Sequence, residues 1–477
     1  MIIRKENDLR RRRPLFLKWV NGMKTKSAQE NPARYLSSLD GNPGLWRMLP
    51  FSLQQILAMF VSNMVPITMV GAAASPALSR AEILCLAQSA MIAAGIATFF
   101  QATPVRKLGS GLPIIMGLSF TFMVPLTAIA AKYGYGAVTG TVLVCGLFEG
   151  LLGLTVRYWR RIMAPIVSAV VVTGIGLSLL STAARAFGGG YTEDFGAGPN
   201  IVIGSVTLLS CLLWTVLVKG SRKQLSILVG ILAGYVTALL FGKADFSELS
   251  EGGWFSLPKL LPYKPIFRLD AILSICVIHL VSATETLGDV SAVTGGVLNR
   301  EPTRQEMTGA LTVDGFGSVL SGLLGGTPIT SYSENVGLTI MTGVVNRNVM
   351  RLAGVILVLI GFFPPITRLV GTIPEPVIGA ILLMVMGQIV VSGVQMIAAA
   401  GFSERNKLIA SISLSIAVGF TASTEAGIWR DFPVWVQSIF SQNVVALIFV
   451  LALALNLLLP KNMDGESTQP HDAPQNK

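Results

Sequence analysis

The sequence predicts an all-α polytopic membrane protein of about fourteen transmembrane spans in two inverted seven-span repeats, with spans 3 and 10 broken by short extended segments. Three observations predict it. Hydrophobic residues make up 52% of the 477 and charged residues only 13%, with positive mean hydropathy, unlike an ordinary soluble domain. Apolar runs of roughly 17 to 25 residues, the length that crosses a hydrocarbon core about 30 Å thick, follow one another from Pro50 to Leu459. The 49 glycines and 24 prolines suit a membrane bundle, where neighbouring helices satisfy the backbone groups such residues free.

The first 48 residues precede the apolar runs and form a basic arm. Its Arg10, Arg11, Arg12, Arg13, Lys18, Lys24 and Lys26 are expected on the cytoplasmic side against anionic lipid. No nucleic-acid motif accompanies them, so no nucleic-acid partner is expected. The region before Trp46 lacks the apolar core of a cleavable signal, so the first span is expected to direct insertion. The spans are expected at approximately 50–71, 81–102, 111–130, 137–156, 164–182, 201–218, 224–241, 269–289, 307–324, 327–342, 350–368, 374–397, 406–422 and 443–460.

Basic residues alternate across the intervening loops. Arg106 and Lys107, Arg157 with Arg160 and Arg161, Lys219 with Arg222 and Lys223, Arg300 and Arg304, Arg347 and Arg351, and Arg405 with Lys407 all fall on the side of the arm. Both termini, including the polar tail 461–477, are therefore expected in the cytoplasm and the spans in the inner membrane. The outer loop 242–268 separates repeats 49–241 and 269–460. Cys85, Cys145, Cys211 and Cys276 lie inside apolar runs, far apart and without metal-ligand spacing. Free thiols, no metal and no cofactor are expected.

The third span of each repeat carries the best internal match, Gly111-Leu112-Pro113-Ile114 against Gly326-Thr327-Pro328-Ile329. Ser119 and Thr121 follow in one copy, and Thr330, Ser331, Ser333, Glu334 and Asn335 in the other. Both segments are too polar to face lipid along their length. Counted from the prolines, Ser119 and Phe120 take the positions of Glu334 and Asn335. Unwound segments at matching places in two repeats point to a binding site near the bilayer midplane, because freed N–H and C=O groups can serve a ligand there.

The ionisable residues deep in the spans are all acidic: Glu149, Glu285, Asp289, Asp314 and Glu334. Each is costly unless paired, neutralised or wetted. Their sign suits a cation-coupled carrier or a ligand with N–H donors, not an inorganic anion. Glu285 and Asp289 are four residues apart on one helical face, with Gly288 between them thinning its surface. Glu285 is expected to bind ligand, and one carboxyl of the pair to carry an exchangeable proton. Asp314 is expected in a structural or coupling role, bonded across to a broken span. Glu149 is read as wetted by a cavity. His279, six positions before Glu285, is rotated away from the carboxyl face and is read as packing. Phe120 offers an aromatic face to a planar ring.

At these residues the sequence resembles the nucleobase-ascorbate transporter family, which contains the xanthine and uracil permeases. The family signature is met by Glu334-Asn335-Val336-Gly337-Leu338-Thr339-Ile340-Met341-Thr342, and the eighth-span motif by Glu285-Thr286-Leu287-Gly288-Asp289. Asp314-Gly315 and Gly117-Leu118-Ser119-Phe120 match further motifs. The resemblance runs from about Ser52 to Leu459. It implies a core domain (spans 1–4 and 8–11), a gate domain (spans 5–7 and 12–14), a homodimer and proton-coupled uptake. It also implies that Glu285 accepts ring N–H groups, that Glu334 with neighbouring backbone groups holds another edge, and that Phe120 stacks; Ser119 and Ser333 are further expected substrate-binding residues. Asp289, Asp314, Asn335, Gln55 and Thr284 are placed in coupling or site architecture.

Two positions depart from common family members. Gln54-Gln55 stands where many have Gln-His, and Glu334 is the uracil-type residue where xanthine and urate carriers usually have Gln. Asp289 stands where uracil-type members commonly have His. The stretch 282–317 looks purine-type, so xanthine or urate is the expected substrate and uracil the alternative. An anion exchanger of sulfate-permease type is remoter, since it normally adds a soluble C-terminal domain. An enzyme is not expected, because no nucleophile-His-acid order or metal cluster is present. A channel would lack saturable, gradient-dependent uptake.

Overall fold

A computed structural model describes residues 32–460 and 463, except 61, 160–163, 191, 220–224, 244–252 and 442. The Arg10–Arg13 run and His471 lie outside these residues. The helices in chain order are α1 (Leu45–Met59), α2 (Val65–Ala73), α3 (Arg80–Gln101), α4 (Met123–Tyr133), α5 (Tyr135–Trp159), α6 (Pro165–Phe187), α7 (Gly198–Leu217) and α8 (Ser226–Leu240). After residue 268 come α9 (Leu269–Gly296), α10 (Arg304–Leu323), α11 (Ser333–Thr342), α12 (Arg347–Phe362), α13 (Pro364–Gly371), α14 (Glu375–Ala400), α15 (Glu404–Ala422), α16 (Val434–Phe440) and α17 (Val444–Leu458). Two three-residue strands, β1 (Met116–Leu118) and β2 (Ile329–Ser331), precede α4 and α11. Among the described residues six helices, α3, α5, α6, α7, α9 and α14, are long and apolar enough to cross a membrane.

Local sequence sets several of the ends. Ser79 accepts from the Glu82 N–H while the Glu82 carboxylate accepts from the Ser79 N–H, a reciprocal cap that starts α3; Thr303 and Glu306 repeat it on α10. The first expected span is not one helix. It divides into α1 and α2 around a 3-10 turn at Ser62–Met64, with Pro66 in the first turn of α2. A proline there gives up an N–H that has no helical partner, so the chain restarts cheaply. The expected span 350–368 likewise divides before Pro364.

The helices pack through small residues. A Cβ added to Gly95 of α3 would lie 2.5 Å from the Gly354 carbonyl of α12, and one on Gly354 would lie 2.6 Å from the Gly95 carbonyl. Gly315 of α10 presses on the backbone of Gly150 in α5, and Gly379 and Gly393 of α14 press on α6. Close backbone approach through small residues is the usual way helices associate where lipid removes the hydrophobic drive. Large apolar side chains remain on the outside, such as Leu147, Leu151, Leu212 and Leu213.

Where α5 meets α9, Cys145 Sγ stands 3.4 Å from Cys276 Sγ. The expectation that the thiols are far apart is therefore corrected for this pair, because separation along the chain says nothing of which faces two helices turn to each other.

Candidate substrate-binding site

Strands β1 and β2 pair antiparallel, Met116 with Ser331, Gly117 with Thr330 and Leu118 with Ile329. The pairing extends beyond the strands: Tyr332 N–H donates to Ile115 O at 3.0 Å and Ser119 N–H to Pro328 O at 3.0 Å. Met116 and Ser331 each stand three residues after the matched prolines Pro113 and Pro328. This one pair of equated positions thus meets at the centre of the ladder, and the flanking pairs are related to each other by exchange of the two copies. Gly117 is needed here, since a Cβ would lie 2.7 Å from the Tyr332 ring and 2.8 Å from Asn63 Oδ1.

Side chains from helices satisfy the remaining strand groups, as buried backbone requires. Asn63, in the turn between α1 and α2, accepts from Leu118 N–H at 2.6 Å, Thr98 from Met116 N–H at 2.9 Å and Ser318 from Ile329 N–H at 3.0 Å. Asn63 and Thr98 were not singled out in the sequence. The only signal for Asn63 was an amide shortly before Pro66 in an otherwise apolar run.

The carboxyls of α9 face this pair of strands. Glu285 accepts from the Thr121 hydroxyl at 3.2 Å and from Ser333 at 3.3 Å. Asp289 accepts from Ser331 at 2.5 Å and from Ser333 at 3.0 Å. Asp314 of α10 accepts from Thr286 at 2.5 Å, and the Thr286 and Ser331 hydroxyls stand 3.2 Å apart. Asp289 and Asp314 are buried whereas Glu285 and Ser333 are half-buried. A Cβ at Gly288 or Gly337 would meet nothing within 4 Å, so space adjoins the Glu285 face. Ser119 and Phe120 directly precede Thr121, at the start of a 3-10 turn, Phe120–Phe122, just after β1.

Behind β2, Asn335 donates to the Gln55 carbonyl at 2.7 Å and to Gln55 Oε1 at 2.6 Å, while Gln55 Nε2 donates to Thr339 at 3.2 Å. These residues tie α11 to α1. The Thr284 hydroxyl instead donates to Val281 O of its own helix at 2.7 Å, so it is not brought to the cluster. Asp314 bonds to α9 and not directly to a strand, which corrects the partner expected for it. The side chain of Glu334, at the second position of α11, lies outside the described residues.

Glu149 does not reach an open cavity: it is 0% exposed, and His279 Nδ1 stands 2.9 Å from its Oε2. A helix's own periodicity places His279 away from Glu285 but cannot tell that it meets a carboxyl on α5.

A cleft of about 490 Å³ lies elsewhere, between α2, α3 and the segments around Thr192 and Glu375. A second of about 320 Å³ shares Thr68, Met69 and Glu375 with it. At the rim of the first, Lys243 pairs with Asp194, and this contact, then the Thr192 hydroxyl, holds the Asp194 carboxyl down at about 2. The acidic cluster is chosen as the site over the larger clefts because it combines buried acid, hydroxyl donors and an irregular backbone.

Residues 47–426 match the Xan_ur_permease model, described as "Permease family". A putative purine permease of Clostridium perfringens is 29% identical over 93% of this chain and 98% of its own. The uric acid permease PucJ of Bacillus subtilis is 30% identical over 84% and 90%. The xanthine permease XanQ of Escherichia coli is 28% identical over 91% and 95%. Among solved structures, the transmembrane domain of the cyanobacterial bicarbonate transporter BicA superposes with a TM-score of 0.52 at 18% identity, covering 85% of this chain and 97% of that one. The murine anion transporter Slc26a9 gives 0.57 at 10% identity, covering 91% and 72%. The likeness to the last two is one of fold. The chain belongs to the permease family that the sequence match defines, and it is a multi-pass membrane transporter, not an enzyme.

Proposed function

We propose that the protein takes up a nucleobase together with protons, and that the base is an oxidised purine such as xanthine or uric acid. The observation that carries this is Glu285. It is a half-buried residue whose carboxyl accepts from Thr121, the chain neighbour of Phe120, and from Ser333, with open space at Gly288 on the same helical face. A carboxylate accepts from ring N–H donors, an aromatic face stacks on the ring, and N-terminal helical turns at Phe120–Phe122 and Ser333 offer N–H groups to ring carbonyls. The relatives that are uric acid and xanthine permeases support the purine reading.

Fourteen spans, two broken at β1 and β2, belong to the same proposal. Its support is the packing order. On the expected span numbering, span 2 packs on 11 and span 9 on 4, while 6 packs on 7 and 13 on 14. Exchanging the two repeats maps each contact onto its partner, as an inverted repeat requires. Spans 1–4 with 8–11 then form the core domain, and spans 5–7 with 12–14 the gate. Cytoplasmic termini in the inner membrane follow from the basic loops, and a homodimer from the family resemblance.

Uracil is the second reading, favoured by Glu334 at the head of the signature. A competition panel of unlabelled xanthine, uric acid, uracil and guanine against radiolabelled xanthine uptake, in a strain lacking its own permeases, decides between them. Competition by the purines alone supports the assignment; competition by uracil alone reverses it. Bicarbonate or sulfate as the only competitor would move the protein to anion exchange, against the acidic site.

A further inference from the structure

The site above leaves unused part of a line of buried polar groups on α9, the part that begins at His279 and Ser282 and ends at Thr286 beside Asp314. His279, Ser282 and Thr286 recur at i, i+3 and i+7, so they share one stripe of the helix. Glu149 of α5 faces its first residue and Asp314 of α10 its last. All five are 0% exposed. The approach of His279 Nδ1 to Glu149 Oε2, 2.9 Å, is that of an ion pair but is out of line for a hydrogen bond. Ser282 lies within hydrogen-bonding reach of Glu149, while both nitrogens of His279 and Asp314 Oδ1 are buried without a hydrogen-bond partner among the described residues. Buried polar atoms are nearly always satisfied. Such groups gathered between three helices mark a built feature and not a packing accident.

The groups facing the pair are the Cys145 thiol of α5, the Cys276 thiol one turn before His279, and the carboxyls of Asp314 and Glu285, which lie within Coulombic reach of Glu149. Asp289 lies further along α9. Neither Lys nor Arg pairs with Glu149 among the described residues. An ionised Glu149 beside a neutral imidazole would put an unbalanced charge in this interior, at a cost of several kcal/mol. One added proton makes the pair neutral whichever partner carries it.

The pair also has a mechanical link to the ligand site. The Phe122 ring lies against His279 with centroids 4.5 Å apart. Thr121, next to it in the 3-10 turn, donates to Glu285, and Phe120 begins the same turn. Two consecutive residues thus touch the imidazole and the carboxyl, and Phe120, the proposed stacking residue, precedes them in the same turn. Along α9 the pair lies about 9 Å from Glu285, six residues at helical rise.

We propose that Glu149 and His279 form a buried proton-holding pair whose occupancy is linked to substrate binding at Glu285 through the Phe120–Phe122 turn. This rests on the proton-coupled reading above. The proton comes from water on loading and returns to water on release, and no other bond changes. Negative charge on Glu285, which a base with N–H donors stabilises, and a proton on the pair favour each other, so by reciprocity substrate and proton load together.

The test uses full-length protein in proteoliposomes with radiolabelled xanthine, measuring accumulation driven by a proton gradient and exchange against unlabelled xanthine without one. In the wild type a protonophore is expected to abolish accumulation and spare exchange. In Glu149→Gln, His279→Gln and the double variant, exchange should stay within about threefold of wild type, while accumulation falls at least about tenfold and its dependence on pH between about 5.5 and 8.5 flattens. Wild-type accumulation and pH profile in the variants overturns the pair, as does equal loss of exchange and accumulation at normal protein level, which marks a structural role. Protonophore-insensitive accumulation by the wild type refutes proton coupling itself, and the pair with it.

A second measurement needs no change at the pair. The chain has two histidines, His279 and His471, so His471→Ala protein with isotope-labelled histidine gives one imidazole signal. That signal should respond to pH and to xanthine; a signal indifferent to both overturns the proposal.

Discussion

Glu285 as a residue is half-buried, while Asp289 and Asp314, on the same cluster, are buried and accept from hydroxyl donors. Under the proposed function they do different work: Asp289 ties β2 to α9, Asp314 ties α9 to α10, and Glu285 is left for a guest. Replacing Glu285 by Gln keeps volume but removes the charge from its hydrogen bonds, worth about 1.5–3 kcal/mol each. Initial uptake should fall at least about tenfold at equal membrane level, and a variant with wild-type rates would take Glu285 out of the site. Glu334→Gln changes one edge of the proposed ligand contact and not the acid that anchors it. Its competition profile among xanthine, uric acid, uracil and guanine should shift by more than total uptake falls. An unchanged profile would mean that Glu334 does not read the base.

At the scale of elements, β1 and β2 hold together because Gly117 lets Tyr332, Asn63 and Met59 close over the strand. Gly117→Ala forces those neighbours apart, at about 1–3 kcal/mol for an overpacked core. A lower melting temperature in detergent and weaker uptake are expected; unchanged values for both would show that the strands tolerate the added carbon.

The sequence revealed the strands as irregular because Gly111, Pro113, Gly326 and Pro328 interrupt apolar runs in matching places. The acids of α9 were legible from their four-residue spacing. The turn at Ser62–Met64 was not, since an Asn and a Pro in an apolar run read as a tolerated kink. Nor were the Glu149–His279 and Cys145–Cys276 contacts, because periodicity reports which face a residue takes on its own helix and never which helix lies opposite. The loop carrying Asp194 supplies a pH prediction. Its carboxyl is held at about 2, below the ordinary 3.8. The pairing with Lys243 is therefore complete above the ordinary value and lost only as pH falls from about 4 toward about 2. Asp194→Asn should leave the shape of the uptake profile between about pH 5 and 8 unchanged, and a profile displaced in that range would show that the loop titrates with transport.

For the whole molecule, the packing divides helices into groups that touch across few places. α6, α7, α8, α14, α15 and α17 pack mainly among themselves, and α3, α5, α9, α10 and α12 do likewise. The clefts that share Thr68, Met69 and Glu375 run between these groups, with α2 on one wall and α6 and α14 on the other. If the substrate site rides on one group and moves past the other, a covalent link across the cleft must stop transport without touching the carboxyls. Met69 of α2 and Ile378 of α14 both line the larger cleft. Changed to Cys in a Cys85→Ala background and joined by a short bifunctional thiol reagent, they should cut uptake to less than about a tenth. Either single Cys with the same reagent should transport normally. Full cross-linking with undiminished uptake would mean that the two groups do not move apart along this seam, and the alternation would have to be sought between other helices.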